Sequence, residues 1–180
     1  MDFLELAETR KSVRKFEDRK VNRNLLEKCV EAARLSPSAC NAQPWKFVMI
    51  DEPDLVKKVA GCTYNSVVRF NKFTDNAAAF AVVVMEPGNF KSKTGSIFSN
   101  TDYAKMDMGM AVEHFCLQAA ELEIGTCILG WCRRSDLKKV IGIPGKKKIG
   151  LLIAIGYEKE PENRVKSRKS VEEMSSYNKY

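Results

Sequence analysis

Histidine occurs once in the chain, as His114, and that scarcity excludes more chemistry than any abundant residue suggests. A Ser-His-Asp or Cys-His catalytic group would have to use it. It stands in MAVEHFCLQAAELE, Met110 to Glu123, at helical spacing, where packing or a solvated face is the ordinary role. Zinc is equally poorly served, since one histidine and six cysteines without a Cys-x-x-Cys pair do not make the usual ligand sets. The cysteines, at 29, 40, 62, 116, 127 and 132, are too sparse for a disulfide scaffold. The expectation is a reducing cytoplasm and inert, buried thiols, with Cys127 and Cys132 the closest pair for any redox alternative.

Long hydrophobic runs are also missing. AAAFAVVVM from Ala77 and IGLLIAIGY from Ile149 span nine residues each; a membrane-spanning helix needs roughly 20. Both are expected to be buried strands, and no membrane association is expected. MDFLELAETRKS carries acidic residues where a secretory leader would be basic, so no targeting segment is expected either. GTCILGW has the Gly125 to Gly130 spacing of a P-loop, but Trp131 stands where that motif needs lysine. No Gly-x-Gly-x-x-Gly follows a strand. ATP, GTP and Rossmann dinucleotide sites are therefore set aside.

What is present suits one globular domain: 180 residues, 44% hydrophobic and 29% charged, with a net charge of +7 that attracts anions without saying which. Phe3 to Ala7 reads as a short amphipathic helix. Asn22 is placed to cap RNLLEKCVEAARLS, whose Leu25, Leu26, Cys29, Val30 and Ala33 repeat at one-face helical spacing until Ser36-Pro37 stops it. WKFVMID is expected as a strand, EPDLVKKVAG as a helix and AAAFAVVVM as a central strand. PGNFKSKTGSIFSN, 87–100, reads as a polar loop. DYAKMDMGMAVEHFCLQAAELEIG is the longest helix, with Gly125 as its C-cap; then come the strand TCILG, a helix capped by Ser135, the strand IGLLIAIGY and a polar tail. Strands and helices mixed without a regular βαβ rhythm give an α+β fold class.

Two stretches carry candidate chemistry. RKSVRKF, Arg10 to Phe16, concentrates cations near the start, and KSRK, Lys166 to Lys169, concentrates them near the end. A phosphate dianion is held by several charge-assisted donors converging from different directions. The two clusters supply them if the fold joins its ends; otherwise both are solvated charge runs. SPSACNAQPWKF, Ser36 to Phe47, puts small residues, proline and the amides of Asn41 and Gln43 ahead of a strand. Such a backbone can approach a ligand closely and read the C=O, N–H and N pattern of a heteroaromatic ring.

Together these residues resemble the nitroreductase family of FMN-dependent oxidoreductases. RKSVRKF resembles its Arg-x-Ser-x-Arg/Lys phosphate motif, SPSACNAQPWKF is similar to its Ser-Pro-Ser-x-x-Asn-x-Gln-Pro-Trp signature, and MDMGMAVEHFCLQAAELEIGTCILGW looks like its dimer helix and flavin turn. The resemblance implies an intertwined homodimer with a mainly antiparallel sheet flanked by helices: one FMN-binding domain over 1–160 and a C-terminal arm over 161–180. It assigns Arg10, Ser12, Lys166 and Arg168 to the FMN phosphate, with Lys11 acting through its backbone. Arg14 goes to the N1/O2 edge, where a cation favours reduced flavin. Pro37, Ser38, Ala39, Asn41 and Gln43 line the flavin from the partner subunit, Asn71 lies near the ring, and Leu129 and Gly130 form the turn at N5.

NAD(P)H would give hydride and a small-molecule acceptor, nitroaromatic or quinone, would take it by a ping-pong course, so no protein acid or nucleophile is required. The segment 87–100 is shorter than the excursion common in the family, and Trp131 is either a ring neighbour or a core residue. Alternatives are a specialised enzyme of the same fold, such as a reductive dehalogenase or a flavin-consuming enzyme, a non-enzymatic FMN-binding protein, and a basic nucleic-acid-binding module. The last has no use for the amide loop, and no nucleic-acid partner is expected.

Overall fold

The computed structural model describes residues 1–88, 101–160 and 165–180, so most of the expected 87–100 loop and the first residues of the arm lie outside the described residues. Four strands form the centre: β1 (Trp45–Ile50), β2 (Ala79–Met85), β3 (Gly125–Leu129) and β4 (Lys148–Gly156), antiparallel throughout in the order β1-β2-β4-β3. Around them lie α1 (Phe3–Thr9), α2 (Arg23–Arg34), α3 (Pro53–Gly61), α4 (Tyr103–Glu121), α5 (Arg134–Val140) and α6 (Val171–Met174).

Strand β2 explains why its sequence is apolar at every position. Side chains alternate across a strand, and Phe80, Val82 and Val84 join one core with Val56 and Val59 of α3 and Leu137 of α5. Ala79, Ala81 and Val83 join another with Leu26, Cys29 and Ala33 of α2 and Met108, Ala111, Phe115 and Ala119 of α4. Both faces are covered by helices, so no position on the strand is left for a polar residue. The small side chains of Ala79 and Ala81 face the α4 layer, where Phe115 fills the space and stacks on Phe47 of β1 with centroids 5.6 Å apart.

The stretch after α1 follows the open edge of the sheet. Ser12 bridges Thr126 of β3, the Val13 amide donates to the Thr126 carbonyl at 2.9 Å, and Phe16 bridges Glu158. Val13 and Phe16 are buried, which leaves Ser12 and Arg14 on the outward side.

The helix limits differ from the sequence reading in instructive places. Asn22 caps α2 as expected, its side chain accepting from the Asn24 amide. Gly125 does not end α4: the helix stops at Glu121, the chain reverses through Glu123 at φ 59°, and Gly125 opens β3. Packing dictates the glycine, because a Cβ there would stand 2.8 Å from Val13 Cγ2 and 3.0 Å from the Gly156 carbonyl. Ser135 does not cap α5, whose N-cap is Arg133 without a side-chain cap bond. A tertiary bond does the work instead, the Arg133 amide donating to the Cys62 carbonyl at 2.8 Å. Helix α1 has an Asp2/Glu5 capping box, yet none of its residues is buried, and Phe3 and Leu4 are exposed. The polar tail holds one unforeseen helical turn, α6, boxed by Ser170 and Glu173.

Candidate functional site

The two basic clusters meet. Lys166 Nζ donates to the Ala7 carbonyl at 2.6 Å, across 159 positions of sequence. Burial holds the Lys166 ammonium below its ordinary range, and the neighbouring charges of Arg10 and Arg168 push the same way. Among the described residues Arg10 pairs with Glu113 of α4, Nε lying 3.4 Å from its carboxylate. The cluster thus combines the N-terminal stretch, the tail and the middle of α4. Lys11 pairs with Glu158 at 2.8 Å, which turns its side chain away and leaves its main chain with the cluster. Lys15 pairs with Glu160 at 2.9 Å. Arg14 is exposed, and its charge is felt by the buried Cys127 thiol on β3.

The amide loop is held in an unusual shape. Cys40, Asn41 and Gln43 all have positive φ, at 52°, 52° and 44°, a conformation costing about 1 kcal/mol or more for residues other than glycine, and less for asparagine. Three contacts oppose that cost. Ser38 Oγ accepts from the Gln43 amide at 3.0 Å, Gln43 Nε2 donates to Asn41 Oδ1 at 3.0 Å, and the Ala39 amide donates to both oxygens of Asp107, at 3.2 and 3.1 Å. Pro37 and Asn41 are exposed and Pro44 is buried, so the loop presents its amides outward from an anchored base. Ser36 Oγ, at that base, is buried without a hydrogen-bond partner.

The turn after β3 is fastened from behind. Leu129 is buried, Gly130 is exposed, and apart from its own atoms and its two chain neighbours nothing lies within 4 Å of where a Gly130 Cβ would stand, so its main chain can be approached. Arg134 Nη2 donates to the Gly130 carbonyl at 3.0 Å. Asn71 is buried, with Nδ2 donating to the Thr63 carbonyl at 3.1 Å and, at 3.4 Å, to the Trp131 carbonyl. Thr63 and Thr74 share a 2.7 Å hydroxyl bond, and Thr74 donates to the Asn71 carbonyl at 2.8 Å. The Trp131 ring is half-buried and meets Phe70 edge-on at 6.4 Å.

Five of the six cysteines are buried, and Cys40 is exposed, against the expectation of buried thiols. Burial pushes the Cys29 and Cys116 thiols up to about 12 and raises those of Cys127 and Cys132, so none is poised as a thiolate. His114 is exposed on α4, its Nδ1 bonded to the Met110 carbonyl at 2.9 Å. No group of three or more His, Cys, Asp or Glu among the described residues could hold a metal ion, and no described helix is long and apolar enough to cross a membrane.

The model of the nitroreductase family matches residues 7–67 and 57–157, a span that includes the basic stretch, the amide loop and the turn after β3. The chain belongs to the nitroreductase family. A protein of Archaeoglobus fulgidus, named for NADH dehydrogenase or NAD(P)H nitroreductase activity, is 30% identical over 164 residues, covering 89% of this chain and 87% of its own. The oxygen-insensitive NADPH nitroreductase of Helicobacter pylori is 28% identical over 176 residues, covering 81% of each chain. Among solved structures, a nitroreductase family protein from Clostridium novyi NT superposes with TM-score 0.76 at 26% identity over 89% of this chain and 87% of that one. The FMN-dependent nitroreductase of Clostridium difficile R20291 shares the fold, with TM-score 0.80 at 21% identity over 99% and 100%. The α+β architecture is thus the nitroreductase fold.

Three residues around the candidate site were not foreseen. Asp107 anchors the amide loop from inside α4, and its signal was a carboxylate four positions before Ala111 on the buried stripe of the helix. Thr63 and Thr74, which back Asn71, carry no comparable signal, since a threonine pair eleven positions apart reads like any surface pair.

Proposed function

We propose that this nitroreductase-family protein is an FMN-dependent enzyme that takes hydride from NADH or NADPH and reduces nitroaromatic, quinone or related acceptors in two alternating half-reactions. The observation that carries the reading is the junction of Lys166, Arg10 and Arg168. Lys166 reaches the N-terminal stretch through the Ala7 carbonyl; burial first, and then the charges of Arg10 and Arg168, disfavour its ammonium, and a phosphate dianion would favour it. When bound, the flavin supplies the hydride acceptance and release that no side chain of this chain provides.

The chain's own residues have distinct tasks in this reading. Arg10, Ser12, Lys166 and Arg168 hold the phosphate, and Lys11 adds main-chain contacts because its side chain is taken by Glu158. Arg14, exposed beside the edge of β3, sets a positive charge against the pyrimidine edge. The accessible main chain of Gly130 faces the reacting edge, and Asn71 supports it through Trp131 rather than with a spare amide. Pro37, Ser38, Ala39, Asn41 and Gln43 serve the flavin of a second copy. The homodimer is supported by apolar side chains left exposed in one chain: Phe3 and Leu4 on α1, Met106 and Met110 on α4, and Val171, Met174 and Tyr177 in the tail. Residues 1–160 form one domain and 161–180 an arm that completes it.

The visible spectrum of the purified protein, followed by anaerobic addition of NADH or NADPH, tests the reading. Flavin bands that bleach on addition and return with an acceptor are expected. A colourless protein that takes up no FMN on reconstitution refutes it; a yellow protein that neither nicotinamide bleaches is a binding protein and not this enzyme.

A further inference from the structure

Strand β3 stops at Leu129, opposite Leu152, so the first residues of β4 have no β3 partner. Arg134 meets that edge, its Nε donating to the Ile149 carbonyl at 3.3 Å. A groove of about 540 Å³ opens there. Its floor is apolar, made by Met85, Met108, Leu151 and the bare main chain of Gly150, where the Met108 sulfur lies against the position a Cβ would take. Its rim carries Lys105, Arg134, Lys138 and Lys148.

Among the described residues one of these four cations forms an ion pair, and the same carboxylate, Asp102, also feels the charge of Lys148. Lys105 pairs with Asp102 at 2.8 Å. Arg134 is steered by the Gly130 and Ile149 carbonyls and Lys138 by the Gly145 carbonyl at 2.6 Å, which fix direction without cancelling charge. Among the described residues no acidic side chain forms an ion pair with Arg134, Lys138 or Lys148. The groove also adjoins both parts of the candidate site. Met85 is in register with Trp45, the Glu86 amide donates to the Pro44 carbonyl at 3.0 Å, Met108 follows the loop anchor Asp107, and Arg134 holds Gly130.

We infer that this groove binds an anion carried on a flat apolar body, such as an aromatic carboxylate, and that it selects charged reactants for the adjoining site. Its part in turnover rests on the function proposed above; binding itself does not. The apolar body leaves water against the methionine and leucine floor. The head group stays at the rim among partly exposed cations, where attraction is modest and sensitive to salt. In turnover the anion can be the acceptor's carboxylate or the pyrophosphate of the nicotinamide donor, and kinetics separates these.

The test is calorimetric titration of the full-length protein with 4-nitrobenzoate, with 4-nitrobenzyl alcohol (the body without the charge) and with acetate (the charge without the body), on the wild type and on Lys138→Gln/Lys148→Gln. The nitrobenzoate is expected to bind about five- to tenfold more tightly than the alcohol at low salt, and acetate more weakly than either. The double variant should bring the two nitro compounds close to parity. Equal affinity for them in the wild type, acetate matching nitrobenzoate, or a preference that survives the double variant each overturns the inference. If the protein proves colourless, the titration still decides the groove. If it is a working flavoenzyme without the preference, the groove fails and the function stands. With a working enzyme, a raised KM for nitrobenzoate in the variant assigns the anion to the acceptor, and a raised KM for NADH or NADPH assigns it to the donor; an unchanged KM for both overturns the selecting role.

Discussion

Replacing Asp107 by alanine tests whether the amide loop is held from within α4. The carboxylate is buried and accepts from the Ala39 amide through both oxygens. Losing an acceptor that carries charge costs about 1.5–3 kcal/mol, against which alanine's better helix propensity returns up to about 0.7 kcal/mol. The net loss of about 1–2 kcal/mol corresponds to a fall in Tm of about 2–8 °C for a chain of this size. The left-handed residues 40, 41 and 43 cost the loop a comparable amount, so the loop should relax once the anchor is gone. FMN affinity should then weaken about tenfold. Asp107→Asn keeps one acceptor oxygen and should recover about half of both effects. Differential scanning calorimetry of the flavin-free protein reads stability, and fluorescence quenching of FMN on titration reads affinity. An alanine variant matching the wild type in both measurements, or an asparagine variant no better than alanine, refutes the anchoring role.

The double variant Arg10→Ala/Arg168→Ala should weaken FMN binding by about a hundredfold or more while leaving the circular dichroism unchanged; retained affinity would sink the phosphate assignment. Gly156→Ala should destabilise the fold by about 1–3 kcal/mol, measured by urea unfolding, because its Cβ would stand 2.9 Å from Phe16 Cδ1 and the Phe16 ring is already packed against Phe73; a neutral outcome would mean that Phe16 has room to move. Burial raises the Cys29 and Cys116 thiols from 9.0 to about 12, so only the unfolded chain ionises them in between. Their stabilisation is complete below pH 9 and lost as pH rises towards 12. Serine at both positions should flatten the alkaline limb of a Tm against pH profile, and a limb as steep as the wild type's would contradict the assignment.

Much of the molecule was legible in the chain because its signals are local. The unbroken apolar run of β2 announces a strand covered on both faces, and Asn22 announces the start of α2. The order and spacing of the basic stretch, the amide loop and the turn after β3 disclose the nitroreductase family, since each of these stretches is written in consecutive residues. Local signals misled where a tertiary contact took over a local role. Gly125 looks like a helix stop, but it is required by Val13 and by the neighbouring strand; Ser135 looks like a cap, but the Cys62 carbonyl fixes the start of α5.

Sequence alone determined the main strands and helices, though not α6 or every helix limit, the fold class and the identity of the cations. It left open whether RKSVRKF and KSRK were one site or two solvated runs. Only the tertiary structure showed that they lie side by side, with α1 and the tail packed together so that Lys166 reaches Ala7 and feels Arg10. It likewise made Asp107 an anchor and left Arg134, Lys138 and Lys148 around one groove. The physical reason is common to all three: a charge has a meaning in sequence only through its neighbours in space, and those neighbours are chosen by burial of the apolar faces, not by proximity along the chain.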